Sequence, residues 1–398
     1  MARWLTYVGI AAVSWLVLRG PGGITLGDAL IIGAILLIVP NALIDLRTVE
    51  ISILPVAGAV AIVLGGILSS WHSSERIDSF LVLARVVFVT IVLPALFFLV
   101  FPTVKLLRRA VIWTTLGAAL CGAGTFAQVI SPEIIPGSMP TTASRFPGLA
   151  VHVSDTGAIT SLAVVAGAGL LLSSTSWKCR IFTGILTIFG IVGVVLSGSV
   201  SGMLASLVGL VVLFILRNAS AQTLLNLSAV AFMGVALIYP LIKTFDNALG
   251  PGERVMQVFG QSGSSTELNT VGSRAESIIS ALSQFQSSPL LGAGLSMDFT
   301  VAALQSTPHN LFVTTLYQGG ALFAMGIALV VINGIMKAWR CRYYAPSIVA
   351  LVASSLFFAM TAPSYYNRYF WLPLALIIVT DSVRVKQELL AKNTSGAV

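Results

Sequence analysis

The sequence predicts an all-α fold: a polytopic membrane helix bundle of about 12 transmembrane helices. Of the 398 residues, 57% are hydrophobic and only 9% are charged, and the mean hydropathy is +0.96. Soluble domains carry about 25% charged residues. The apolar residues also fall in runs of membrane length, since a helix needs about 20 of them to cross a bilayer. Because open sheet edges cannot exist in lipid, these runs predict helices.

The chain divides into three predicted regions. Residues 1–242 hold spans one to nine, residues 243–308 form a long loop with short amphipathic helices, and residues 309–398 hold spans ten to twelve and a tail. The predicted spans are 4–18, 25–41, 51–69, 79–101, 110–130, 158–174, 181–197, 202–216, 223–242, 309–333, 346–362 and 369–382.

Basic residues orient these spans. Most of the 22 Lys and Arg residues lie at one set of span ends: Arg3, Arg47, Lys105, Arg108, Arg109, Lys178, Arg180, Arg217, Lys337, Arg340, Arg342, Arg384, Lys386 and Lys392. Cytoplasmic loops carry the excess of Lys and Arg, so this side is predicted to be cytoplasmic, with both termini inside. Arg3 precedes a first span without a small-residue cleavage pattern, which favours a retained anchor. The net charge of +8 is then a topology signal, and no nucleic-acid partner is predicted.

Two long segments face the other side of the membrane. They are residues 131–157 and residues 243–308, and all three histidines fall on that side. Long loops in compact proteins usually carry function. The chemistry is therefore expected on the outer face.

Arg274 is the first candidate for a catalytic role. Ser273-x-x-Glu276 has the pattern of a capping box, followed by a short amphipathic helix with Ile278, Leu282 and Phe285 on one face, ending before Pro289. Arg274 would lie in the first turn, where a guanidinium and free backbone N–H groups can bind phosphate. The alternative is an arginine paired with Glu276 or Glu253 on a solvated loop.

His309 is the second candidate. Thr307 is predicted as N-cap and Pro308 as the first helical residue, so His309 would begin the tenth span. The helix dipole there favours a neutral imidazole, which can accept a proton from a sugar hydroxyl. The alternative is a histidine that only anchors a helix end. Asn310 would orient substrate or bond to a neighbouring helix, and Gly319–Gly320 would allow close helix packing.

Further candidates for substrate binding lie on the same side. Arg145, His152 and Asp155 surround a Pro-Gly turn in "ASRFPGLAVHVSDTG", which could equally be a solvated loop. Arg368 would contact an anionic headgroup or snorkel to the interface. Its aromatic neighbours are predicted to form an interfacial belt: Tyr365, Tyr366, Tyr369 and Trp371.

Several chemistries lack their motifs in this sequence. It has no Walker-A loop, no DxD motif and no Cys/His metal spacing, and its three cysteines share no short spacing. No metal and no cofactor are therefore predicted.

The candidate motifs occur in a recognisable order. They are "RFPGLAVHVSDTG", "LSGSVSGMLASLVGLVVLFILR", "SRAESI", "SSPLLGAGL", "PHNLFVTTLYQGG" and "NRYFWLPLAL". Over residues 145–376, and most strongly from Arg274 to Gly320, the chain resembles the bacterial O-antigen ligase and O-antigen polymerase family of integral membrane proteins.

The resemblance implies a function. Members move a glycan from undecaprenyl diphosphate to an acceptor hydroxyl at the periplasmic face of the inner membrane, without metal or nucleotide. Ligases use a lipid A core as acceptor, and polymerases use another lipid-linked glycan. Arg274 matches the arginine that binds the donor diphosphate, and His309 matches the histidine that assists acceptor attack.

One position departs from the family pattern. Many members have a second arginine after the seventh span, where this chain has Val200. Either another cation replaces it, with Arg145 and Arg368 as the candidates, or this protein handles its donor differently. The motifs do not separate a ligase from a polymerase, and a transporter of a lipid-linked sugar or an inactive scaffold remain alternatives.

Overall fold

We analysed a computed structural model of the protein. It describes residues 1–20, 23–42, 53–141, 145–218, 269–304, 308–362 and 365–395, with single positions at 220, 222, 225 and 229. Over these residues the secondary structure is helical, apart from an isolated antiparallel bridge between Arg19 and Thr25. The predicted all-α class is confirmed. The helices are α1 (Ala2–Ala12), α2 (Leu26–Ala42), α3 (Ile53–His72), α4 (Arg76–Val100), α5 (Val104–Ile130), α6 (Val153–Ser173), α7 (Trp177–Leu196), α8 (Val200–Arg217), α9 (Asn269–Phe285), α10 (Met297–Leu304), α11 (Leu311–Arg340), α12 (Pro346–Ala359) and α13 (Arg368–Ser395).

Helices occupy most of the predicted spans: span 4–18 is helical only as far as Ala12, and span 223–242 lies outside the described residues apart from positions 225 and 229. Seven helices (α3–α8 and α11) are long and apolar enough to cross a bilayer, so the protein is a multi-pass membrane protein. The count of about 12 stays a prediction. α1 has 11 residues, which extend about 16 Å at 1.5 Å per residue, and therefore it falls short of the predicted span 4–18.

Small residues allow the helices to approach closely. α3 packs against α11, where a β-carbon on Gly65 would lie 2.5 Å from Phe323 N. α5 packs against α7, where a β-carbon on Gly122 would lie 2.9 Å from the carbonyl carbon of Phe189. Such contacts are typical of membrane bundles, because they bring backbones together. α6 contacts α5, α7, α8 and α12 and has the largest buried share of the seven apolar helices, which makes it the central helix.

The bundle has two ends with different chemistry. We call the end that holds residues 131–141, 145–152, 286–304 and 308–310 the loop end, and the opposite end, where α5 and α7 begin, the basic end. At the basic end the Tyr7 hydroxyl donates to Leu106 O at 3.2 Å, and Lys337 Nζ lies 2.6 Å from the buried Asp381 carboxylate. The predicted cytoplasmic arginines and lysines of α5, α7 and α11 lie at this end.

The predicted aromatic belt is wrong. Tyr365, Tyr369 and Trp371 are at most 4% exposed, and the indole N–H of Trp371 donates to Tyr365 O at 2.6 Å. These rings pack against other core rings, with Tyr365 edge-on to Phe323 at 5.7 Å between centroids. An aromatic cluster near a helix end has the same sequence pattern whether it faces lipid or a neighbouring helix, and here the neighbouring helix covers it.

The predicted capping box is also wrong. α9 begins at Asn269, four residues before Ser273, so Arg274 lies in the second turn. Over residues 275–285 of α9 the buried positions are Ser277 and Ala281 rather than the larger apolar residues beside them. The helix does end at Phe285, before Pro289, as predicted.

A charged candidate site at the loop end

The segment before α6 is held by a buried glutamine. Gln128 donates from Nε2 to Ser138 O at 2.6 Å and accepts from Gly148 N at 2.7 Å. The Ser138 hydroxyl donates to Gly148 O at 2.6 Å. Thr156 in the first turn of α6 donates to Pro147 O at 2.5 Å. Residues 131–141 and 145–152 therefore form a cap on the bundle rather than a solvated loop, because buried side chains hydrogen-bond the backbone at Ser138, Pro147 and Gly148.

Arg145 lies over the turn that precedes α8. Its Nε donates to Ser197 O at 2.8 Å, and Phe146 N donates to Leu196 O at 3.1 Å. Gly198 has φ +56°, and a β-carbon there would lie 3.2 Å from Arg145 Nε. This places the Arg145 side chain next to the turn before α8, and the correspondence of Val200 to a family arginine stays a prediction.

Asp155 is joined to α13 through a tyrosine. The Tyr369 hydroxyl donates to Asp155 Oδ1 at 2.7 Å and accepts from Asn367 Nδ2 at 2.6 Å. His152, the N-cap residue of α6, is exposed and lies close enough to Asp155 to act on it electrostatically. The structure therefore brings His152 and Asp155 together, as the sequence suggested, and adds Tyr369 and Asn367.

Arg368 forms a buried ion pair. Its Nε donates to Asp28 Oδ1 at 2.8 Å and its Nη2 to Asp28 Oδ2, while the backbone N–H and hydroxyl of Thr25 also donate to that carboxylate. Arg368 is 7% and Asp28 is 3% exposed. The predicted snorkelling of Arg368 is therefore wrong: its bidentate partner holds it inside the protein.

Arg85 and Tyr366 extend this charged region. The Arg85 Cζ lies 5.9 Å from the centroid of the Tyr366 ring, and Gly23 makes room for the guanidinium, since a β-carbon there would lie 2.5 Å from Nη2. Burial raises the pKa of the Tyr366 hydroxyl, and the charge of Asp155 raises it further, whereas Arg85 and Arg368 act in the opposite direction. Tyr366 is therefore a neutral hydroxyl at neutral pH.

The start of α11 differs from its prediction. α11 begins at Leu311, and Asn310 is the N-cap: its Oδ1 accepts from Phe312 N at 3.0 Å and from Val313 N at 3.2 Å. The predicted N-cap, Thr307, lies outside the described residues. His309 therefore precedes the helix instead of beginning it. Asn310 Nδ2 donates to Met360 O at 3.3 Å, so Asn310 ties α11 to the end of α12.

A tight backbone interlock forms where α11 bends. Gly320 has φ 71° and ψ −179°, which interrupts the helix. The freed carbonyls of Tyr317 and Gln318 accept from Ala293 N at 2.9 Å and Gly294 N at 3.0 Å, and Ala321 N donates to Pro289 O at 2.8 Å. Of the two glycines predicted to allow close packing, Gly320 receives the loop 289–294 rather than another helix, whereas a β-carbon on Gly319 would meet the Phe323 side chain of α11 itself.

Polar side chains connect this backbone interlock to neighbouring helices through hydrogen bonds. Gln318 Nε2 donates to Thr300 Oγ1 at 2.6 Å, and the Ser69 hydroxyl donates to Gln318 O at 2.7 Å. The Ser296 hydroxyl donates to the Glu75 carboxylate. Sequence reasoning missed Gln318, Gln128 and Glu75. Polar residues inside or beside apolar runs were the available signal, because such residues are costly in a membrane protein unless they are bonded.

Arg274 lies on α9, which packs against α11, and His309 lies just before α11. The convergence of their side chains stays a prediction. Among the described residues, no three His, Cys, Asp or Glu side chains come close enough to hold a metal ion.

Fold and site together define a multi-pass helical membrane protein with a cluster of arginines, carboxylates and tyrosines at one end. The family model described as O-antigen ligase matches residues 185–323, which confirms the resemblance over that region. The match runs from α7 to the first part of α11, and includes Arg274, His309 and Gly319–Gly320. It is narrower than the predicted 145–376. A search of curated proteins finds no match to the chain.

Proposed function

We propose that this protein is a glycosyltransferase that moves a glycan from undecaprenyl diphosphate to an acceptor hydroxyl at the loop end. The observation that carries the proposal is the O-antigen ligase match over residues 185–323. It covers both predicted catalytic residues and the glycines that interlock with the loop 289–294. An interlocked loop between α9 and α11 suits a site whose two halves must keep a constant spacing.

Arginines bind the donor in this proposal. Arg274 binds the diphosphate and stabilises the negative charge that grows on it as the glycosyl bond breaks. Arg145 supplies the second cation, because its guanidinium lies beside the turn before Val200 and hydrogen-bonds to Ser197 O. Arg368 is less suited to this role, since Asp28 already neutralises it; it instead supports the site.

His309 acts on the acceptor. The acceptor oxygen attacks the anomeric carbon of the donor glycan, and the bond between that carbon and the diphosphate oxygen breaks with its electron pair. The hydroxyl proton goes to the imidazole of His309. A single displacement of this kind inverts the anomeric configuration. Asn310 caps α11 and hydrogen-bonds to Met360 O at the end of α12, and so it fixes the position of the neighbouring His309. Its remaining amide proton can hydrogen-bond to substrate.

His152 and Asp155 complete the acceptor side. His152 is exposed at the start of α6 and can hydrogen-bond to sugar hydroxyls. Asp155 accepts a hydrogen bond from the Tyr369 hydroxyl and so holds the start of α6 in position on the acceptor side. The imidazole of His152 and the carboxylate of Asp155 together provide both donors and acceptors, which is what a polyhydroxylated substrate requires.

The membrane arrangement follows from the charge asymmetry. The basic end faces the cytoplasm with both termini, and the loop end faces the periplasm of a bacterial inner membrane. The lipid-linked donor then enters from the outer leaflet. The acceptor is a lipid A core-like molecule for a ligase, or a second lipid-linked glycan for a polymerase, which is the second candidate within the same family.

The test is transfer by the purified full-length protein, reconstituted with a lipid-diphosphate glycan and an acceptor. We expect Arg274→Ala to lower turnover by about 100- to 1,000-fold, as expected when a charge-stabilising donor is removed. Arg76→Ala is the matched control: Arg76 is an exposed arginine at the start of α4, outside the family match. Normal transfer by Arg274→Ala would refute the proposed role, and movement of lipid without a new glycosidic bond would favour a transporter.

A second pair of variants tests Arg145. Arg145→Gln should lower turnover, and adding Val200→Arg to it should restore part of the loss, because that change returns the cation to the position found in the family. An Arg145→Gln protein with wild-type turnover would remove Arg145 from the donor site.

A further inference from the structure

We propose that a cavity at the basic end binds an anionic glycerophospholipid. This site lies at the opposite end from the candidate glycan-transfer site and does not depend on that function. Its volume is about 820 Å³, within the usual range of about 300–1,000 Å³ for small-molecule sites. It lies between α1, the end of α2, the end of α4 and the start of α5.

One wall of the cavity is aromatic and aliphatic. Tyr7 is stacked on Trp113 at 6.2 Å between ring centroids, and Trp4 stands edge-on to Trp113 at 6.0 Å. The apolar lining is completed by Ile38 and Leu99, with Val100 and Leu106 beside them. Trp4 is 65% exposed, so the aromatic wall continues to the outside of the bundle. Trp and Tyr are enriched at the membrane–water boundary, where one side of the ring is apolar and the other is wet.

The charged part of the cavity lining is cationic. Arg3 on α1 and Arg109 on α5 line the cavity, and no acidic residue is among the described residues that do so. Both guanidinium groups lie close enough to the Tyr7 hydroxyl to act on it electrostatically. Tyr7 itself is held by its hydrogen bond to Leu106 O at 3.2 Å. Two arginines from different helices therefore face one pocket.

The combination of two arginines and an apolar wall indicates the class of ligand. A phosphate headgroup fits the two arginines, and acyl chains fit the aromatic and aliphatic wall that opens to the side of the bundle. Basic pockets between membrane helices on the cytoplasmic side are known to suit anionic lipid headgroups. A free phosphate would leave the apolar wall empty, and a zwitterionic lipid would place a second positive charge beside the arginines.

The test uses the full-length protein in nanodiscs of phosphatidylcholine containing a minor fraction of phosphatidylglycerol. Native mass spectrometry counts the phosphatidylglycerol retained. We expect Arg3→Gln/Arg109→Gln to retain phosphatidylglycerol about twenty-five-fold more weakly, since each basic residue near an anionic surface contributes about a factor of five. The matched control is Lys105→Gln/Arg108→Gln, which removes the same charge from exposed positions of α5 outside the cavity lining.

Equal loss in the two double variants would overturn the proposal, because binding would then follow net charge rather than the cavity. Unchanged retention in Arg3→Gln/Arg109→Gln would overturn it as well. A second measurement uses the unsubstituted protein, so it does not depend on variant folding. Photoreactive phosphatidylglycerol should label peptides around Trp4 and Trp113, and excess inorganic phosphate should not compete; labelling confined to other helices would refute the site.

Discussion

Replacing Gly320 by alanine should release the loop 289–294 from α11. A β-carbon at Gly320 would lie 2.5 Å from the Leu290 carbonyl carbon and 2.8 Å from Gly292 N. Both neighbours are backbone atoms, so no side-chain rotation can relieve the overlap. The φ of 71° and ψ of −179° also belong to a region that only glycine adopts readily.

The magnitude follows from two competing responses. If the loop stays docked, the variant keeps a backbone conformation that costs about 1–3 kcal/mol, in addition to the overlap. If the loop undocks, three backbone hydrogen bonds between 289–294 and α11 are lost, at about 0.5–1.5 kcal/mol each. Either response destabilises the docked loop by about 3 kcal/mol.

Hydrogen–deuterium exchange measures this directly. The amides of Ala293 and Gly294 donate to α11 and should exchange slowly in the unsubstituted protein. In Gly320→Ala they should exchange about a hundredfold faster, because each 1.4 kcal/mol corresponds to a factor of ten. Gly184→Ala is the matched control, since a β-carbon at Gly184 on α7 meets nothing within 4 Å. Unchanged exchange at Ala293 and Gly294, with α6 still protected, would refute the reasoning.

Three further predictions concern the loop end. Arg368→Gln should lower the free energy of unfolding by about 3–5 kcal/mol, as measured by denaturation, because it leaves the buried Asp28 carboxylate unpaired. Asp28→Asn/Arg368→Gln should recover part of this loss. Equal stability of the single and double variants would contradict the prediction. Tyr369→Phe should cost about 1–3 kcal/mol, because Asp155 loses its hydroxyl donor, whereas a wild-type melting temperature would show that the bond is dispensable. The Tyr366 pKa is raised by burial, so the folded state favours the protonated form; the contribution to stability is complete below pH ~10 and is lost as pH rises above it. Tyr366→Phe should weaken this alkaline loss, as measured by unfolding at several pH values.

Much of the architecture was predictable because hydrophobic length is a one-dimensional property. A span must be apolar over about 20 residues wherever it lies, and helices were found at most of the predicted spans in the described chain, with the first span helical only to Ala12. The end of α9 before Pro289 was predictable for a similar reason, since proline disrupts a helix locally.

The details of helix beginnings were less predictable. Ser273-x-x-Glu276 and Thr307-Pro308 both have start signals, yet α9 begins at Asn269 and α11 at Leu311. A cap contributes about 1 kcal/mol, which packing can override. Asn310 gains three hydrogen bonds as the cap, including one to Met360 O on a neighbouring helix.

The sequence by itself determined the membrane class, the helical fold and the family resemblance around Arg274 and His309. Only the tertiary structure decided which charges neutralise each other. Arg368 and Asp28 are 340 residues apart in sequence, and Tyr369 reaches Asp155 across 214. A local pattern carries no information about such partners, since ion pairs and core contacts depend on which helices the bundle places side by side. That is why a predicted lipid-facing aromatic belt became core, and why Arg145 came to hydrogen-bond to Ser197 O in the turn before α8.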